Sequence, residues 1–191
     1  MSKRQNLVLE QNWKNGLIRA RKKAVFWHNR GKIGRIKNAE RQADKILSGI
    51  NFSDKCLLEV TLAMLYLGEG FKKNSDTGIG NSDPLILKFF VTVLLKIYGV
   101  DKNKITCYLH LRADQDPVKM KKYWAQKLSL PLSAFKKASL DQRTKGIPTY
   151  PYYKGVCIVR CGHVAVQRKL VYLSRKYCEK VIQNWAVSSF S

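Results

Sequence analysis

The chain has 191 residues, of which 36 are Lys or Arg and 13 are Asp or Glu, leaving a formal net charge of +23 and a pI near 10.0. A field of that sign attracts polyanions, and no stretch approaches the roughly 18 to 20 uninterrupted apolar residues that span a bilayer, so the expected partner is nucleic acid and not a membrane. Disorder is excluded as well, because 45% of the residues are hydrophobic, enough to build a core.

Composition alone fits an RNA-associated protein as well as a DNA-binding one. The first ten residues carry two basic side chains but lack the apolar run and small-residue cleavage site of a secretory signal, so the chain reads as intracellular. The five cysteines, Cys56, Cys107, Cys157, Cys161 and Cys178, are odd in number and scattered, which argues against a disulfide framework. Cys157 and Cys161 lie four apart, but no further Cys or His pair completes a zinc site at recognisable spacing. They are read as buried thiols.

In chain order, residues 1–50 form a basic arm holding 13 Lys and Arg against Glu10, Glu40 and Asp44. Its apolar residues recur with loose helical spacing, and Gly16, Gly31, Gly34 and Gly49 interrupt them, predicting one or two imperfectly packed helices. Ser53 then caps a helix whose residues from Cys56 to Leu67 are apolar on almost every side, as expected of a helix buried all round. Gly68 and Gly70 end it around Glu69. Thr77 to Asn81 reads as a short strand, and Asp83 followed by Pro84 as an N-cap with proline in the first helical position. That helix runs to Tyr98 and stops at Gly99, with Lys88, Thr92 and Lys96 forming its one polar stripe.

Strict alternation marks Ile105 to Arg112 as a strand with Ile105, Cys107, Leu109 and Leu111 on one face and Thr106, Tyr108, His110 and Arg112 on the other. A second Asp-Pro start, Asp116 and Pro117, opens a helix that Pro131 closes off, with Tyr123 and Trp124 read as core. Phe135 to Leu140 is a further candidate strand, and 141–153 a loop carrying Arg143 and Lys145. Tyr152 to Cys161 alternates again, sending Lys154 and Arg160 outward. A last helix from about His163 presents Val166, Leu170, Leu173, Tyr177 and Val181 on one face. The outward side chains Thr106, Tyr108, His110, Arg112, Lys154 and Arg160, with Lys72, Lys73, Arg143 and Lys145, are candidate contacts to bases or phosphates.

Leu62-Ala63-Met64-Leu65-Tyr66-Leu67-Gly68-Glu69-Gly70 resembles the nine-residue signature of the LAGLIDADG homing endonucleases and related DNA-binding proteins. Both leucines, Ala63, the acid at position eight and the last glycine agree, and Gly68 is the small residue at position seven. Met64 and Leu67 depart from the usual glycine and acid. Asn81-Ser82-Asp83-Pro84 ahead of an apolar helix is similar to that family's strand-to-helix junction.

The resemblance implies a mixed α/β domain over 51–191, with an antiparallel sheet that straddles the major groove. It also implies a homodimer, since there is one motif, joined through Leu62, Ala63, Met64, Leu65 and Gly68 at a twofold axis. Two Glu69 carboxylates, with carbonyls of the Gly68-Glu69-Gly70 turn, would there bind magnesium and cut duplex DNA, because two-metal hydrolysis needs paired oxygen ligands. The competing readings are a non-cleaving regulator of the same fold, an RNA-binding factor, and a Glu69 that merely ends a helix and pairs with Lys72 or Lys73.

Overall fold

A computed structural model of the chain describes residues 3–73 and 76–188. They divide into two units, 1–51 and 52–191. The first unit is one helix, α1 (Lys3–Leu47), with every described side chain exposed. Gly16, Gly31 and Gly34 lie inside it and do not break it as their spacing predicts. A glycine costs only about 1 kcal/mol relative to alanine within a helix, and this segment is rich in strong helix formers and lacks proline.

The second unit mixes helix and strand. Its elements run α2 (Lys55–Glu69), β1 (Gly78–Asn81), α3 (Pro84–Ile97), β2 (Thr106–Arg112), α4 (Pro117–Leu128), β3 (Ser139–Asp141), β4 (Val156–Arg160) and α5 (Val164–Ser188). The sheet order is β1-β4-β2-β3. β4 pairs antiparallel with both β1 and β2, whereas β3 pairs parallel with β2, so the sheet is mixed and not antiparallel throughout. A crossover explains the exception. The chain leaves β2, runs through α4, and returns to the β2 edge travelling in the same direction, as a helical crossover permits. Phe135 makes only an isolated bridge to Cys107, which shortens the candidate strand to Ser139–Asp141.

Local chemistry explains the helix starts. Asp83 and Asp116 accept backbone N–H bonds in the first turns of α3 and α4, each followed by proline at the first helical position. α2 is capped by Asp54 and not Ser53, its carboxylate accepting from the N–H groups of Cys56 at 2.8 Å and Leu57 at 3.2 Å. The helix is buried on one side only: Leu62, Ala63 and Tyr66 are enclosed, while Leu57, Thr61, Met64 and Gly68 face outward. Likewise α5 buries Leu170 and leaves Tyr177 and Val181 exposed. Cys107, Cys157 and Cys161 are core thiols, but Cys56 is exposed.

Tyr66 anchors the end of α2. Its ring stacks on Phe90 of α3 with centroids 6.5 Å apart, and its hydroxyl donates to the Phe71 carbonyl at 3.1 Å. Gly70 passes so close that a Cβ there would sit 2.5 Å from the Tyr66 carbonyl oxygen and 2.6 Å from its ring, whereas one on Gly68 would meet nothing within 4 Å. Gly70→Ala is therefore expected to destabilise the protein by about 1 to 3 kcal/mol in urea unfolding, as overpacking of a fixed site does. Gly68→Ala should match or slightly exceed wild-type stability, since alanine is the better helix former by up to about 1 kcal/mol. Equal midpoints for the two variants would refute this account of the turn.

Candidate nucleic-acid interface

β2 and β4 separate their side chains into two chemically distinct faces. Cys107, Leu109, Leu111, Cys157 and Val159 point into the core, where the neighbouring Cys107 thiol and burial together push the Cys157 thiol far above its usual range. Thr106, Tyr108, His110 and Arg112 point the other way, and register sets Thr106 beside Arg160, Tyr108 beside Ile158, and His110 between Val156 and Ser139. β1 contributes Gly78 and Gly80 to this outer face, and the Phe71 ring lies over both.

The two arginines are held, not free. The Arg160 guanidinium lies 5.4 Å from the Phe71 ring and 5.6 Å from the Tyr108 ring, within cation–π range of both. Arg112 donates through Nη2 to the Ile147 carbonyl at 3.1 Å and so pins the 142–155 loop to the end of β2. Both Nε atoms are buried without a hydrogen-bond partner. Tyr108 and His110 remain exposed on this face, and Lys154 turns back, its ammonium donating to the Pro151 carbonyl.

The loop is ordered by its own polar contacts. Asp141 receives a bidentate fork from Arg143, with Nε and Nη2 each at 2.9 Å from a carboxylate oxygen. Asp114 accepts the Thr149 N–H at 2.7 Å. These bonds present Tyr150 and Tyr152 as an exposed stacked pair, ring centroids 5.4 Å apart, above a recess that Arg112, Asp141 and Tyr153 also line. Nothing in the sequence marks this pair, because an i, i+2 spacing in a loop carries no periodicity signal. Lys145 is exposed in the same loop.

The motif residues are distributed differently from the expectation. Leu62 and Ala63 are fully enclosed within one chain, so neither can line a dimer surface, and only Met64, Leu65 and Gly68 of the expected set reach solvent. The enclosure comes from within the chain: Tyr66, one turn on, stacks on Phe90 of α3, and α5 packs along α2, bringing the Cys178 sulfur to 3.9 Å from that of Met64. Glu69 is exposed and pairs with neither lysine; Lys72 instead donates to the Gly68 carbonyl at 3.4 Å, and Lys73 is exposed.

Among the described residues no group of three or more His, Cys, Asp or Glu side chains could hold a metal ion. One carboxylate, beside a Gly68 carbonyl already facing an ammonium, is too small a donor set for magnesium, which is held through carboxylate and water oxygens in a near-octahedral shell. A single chain therefore does not fit that ion at Glu69. Nor, among the described residues, is any helix long and apolar enough to cross a membrane. No protein-family model, no curated protein and no solved structure matches the chain.

The Arg143 fork, before any other influence, holds the Asp141 carboxyl below its ordinary value. A depressed carboxylate adds stability that is present above the unfolded-state value and lost as pH falls through the folded-state one. Carboxyl-carbon NMR titration should thus show Asp141 titrating below ordinary aspartate, and Arg143→Ala should move it back up. An unmoved Asp141 in that variant would show the fork to be absent in solution.

Proposed function

We propose that the chain binds duplex DNA through the outer face of its sheet, with α1 adding contacts to phosphates. The observation that carries this reading is the outer face itself: exposed Tyr108 and His110 beside half-buried Arg112 and Arg160, on a chain of net charge +23. A sheet face presenting hydrogen-bonding and basic side chains can reach base edges in the major groove while the surrounding cations engage phosphates. The resemblance of the α2 motif to the LAGLIDADG signature supports the same partner, and with it a homodimer meeting at the exposed Met64 and Gly68.

Cleavage is a second reading, and Glu69 favours it: an exposed carboxylate with no ion-pair partner among the described residues, at the end of the motif helix. It requires a second copy of the chain, since paired carboxylates are needed to clamp the metals of phosphodiester hydrolysis. Gel shifts with DNA and RNA, run beside plasmid cleavage in magnesium and manganese, separate the alternatives. Tight sequence-selective shifts without cleavage would make the chain a regulator, and preference for RNA would overturn the duplex reading. Where cutting occurs, Glu69→Gln is expected to abolish it with binding unchanged, and Gly68→Val is expected to turn a dimer into a monomer in sedimentation; a wild-type monomer on and off DNA would sink the dimer.

Affinity should also fall steeply with salt. If arm and sheet neutralise on the order of eight phosphates, log affinity against log salt has a slope near minus seven, and deleting residues 1–50 flattens it. Tyr108→Ala is expected to cost about 1 to 3 kcal/mol on a selected site and less on random duplex, the difference between a base contact and a phosphate contact. Equal losses on the two duplexes would assign Tyr108 to the backbone.

A further inference from the structure

A cleft of about 480 Å³ opens between the turn that follows α2 and the first turns of α5. Lys72 and Lys73 line one wall; Gln167, Arg168, Tyr172 and Arg175 line the other. Arg168, Tyr172 and Arg175 stand four and three residues apart, which sets them on one face of α5. None of the four cations forms an ion pair among the described residues, and no acid among them lines the cleft.

The walls are fastened to each other. The buried Gln167 side chain donates to the carbonyls of Phe71 at 3.3 Å and Lys72 at 2.9 Å, so the backbone that carries the two lysines is clipped to α5. Beyond the turn, the Thr77 hydroxyl donates to the His163 carbonyl, and the Gly162 N–H donates to Asp76 at 2.6 Å. Four positive charges are thereby drawn to one concave surface from segments about a hundred residues apart in sequence. Mutual repulsion opposes that arrangement, and an anion seated among them relieves it.

We propose that this cleft is a phosphate site, which takes the phosphodiester groups of a nucleic-acid strand running past the end of α2. Guanidinium forks match the oxygens of a phosphate two at a time, and the two lysines add point charge. The exposed Tyr172 between the arginines offers a hydroxyl donor and a ring for the adjoining sugar or base. The polymeric source of the phosphate rests on the DNA-binding reading above; the preference for phosphate rests on the cleft alone.

The test compares three full-length proteins, each checked by circular dichroism and melting: wild type, Arg168→Ala/Arg175→Ala, and Lys119→Ala/Lys122→Ala on the exposed surface of α4. In the first arm, pyrophosphate is titrated at low salt by calorimetry. Binding to wild type and to the α4 variant, weakened at least tenfold in the α5 variant, is the expected result; no binding to wild type, or equal binding to all three, overturns the phosphate site. In the second arm, affinity for random duplex is measured against salt. The α5 variant should show a slope shallower by about two, one for each guanidinium removed from the phosphates, and the α4 variant should show none of this change. An unchanged slope with the pyrophosphate result intact overturns the polymer and assigns the cleft to a free phosphate-bearing ligand. Failure of the wild type to bind any duplex removes the DNA reading while the first arm still judges the cleft.

Discussion

Cys107, Leu109, Cys157 and Val159 occupy neighbouring positions on two antiparallel strands, and none is more than 1% exposed. Sealing that face against the helices dictates where everything polar on the sheet must go, because successive side chains on a strand alternate sides. The alternative register would bury Tyr108, His110, Arg112 and Arg160 and expose the apolar row, at a cost no other contact in the unit could offset. One hydrophobic decision therefore creates both the core and the chemically active surface. Trp124 reinforces it from α4: fully buried, it donates its indole N–H to the Lys154 carbonyl at 2.9 Å and fixes where the loop enters β4.

The features legible in the sequence were those whose physics is local. Alternation revealed β2 and β4, and the Asp-Pro pairs revealed the starts of α3 and α4, because each depends on residues within a few positions of one another. Orientation of β3 was not legible, since three residues carry no mark of whether their partner runs beside or against them. Leu62 and Ala63 illustrate a different limit. An apolar face states that it must be covered, not by what, and later elements of the same chain, α3 and α5 among them, pack against α2 and leave only part of the motif open to solvent. The candidate site divides the same way: the outer strand residues could be named in advance, whereas the Tyr150–Tyr152 stack and the convergence of Lys72 and Lys73 with Arg168 and Arg175 exist only after folding.

Positive charge is distributed in two physically different ways. Along α1 it is spread over an exposed helix of roughly 70 Å at about 1.5 Å per residue, with only the Lys14–Glu10 ion pair, at 2.7 Å, to moderate it among the described residues. Such a rod interacts with a polyanion through many weak, salt-screened contacts that need no particular geometry. In the second unit three arginines are instead oriented, by aromatic faces at Arg160, a carbonyl at Arg112 and a carboxylate at Arg143. Oriented groups lose less conformational freedom on contact, so they can contribute to selectivity where the arm contributes reach.

The strand order β1-β4-β2-β3 leaves the sheet with two ends, and both are cut short: four residues in β1 and three in β3. An open strand edge is a template on which another chain can continue the hydrogen-bond ladder, the first step toward domain swapping or fibre growth. Edges this brief offer too few unpaired N–H and C=O groups to seed that process, and a strongly cationic surface repels an identical copy arriving edge to edge. The sheet is thus a poor template for strand addition at either end, which leaves its outer side chains, and not its backbone edges, as the surface it offers.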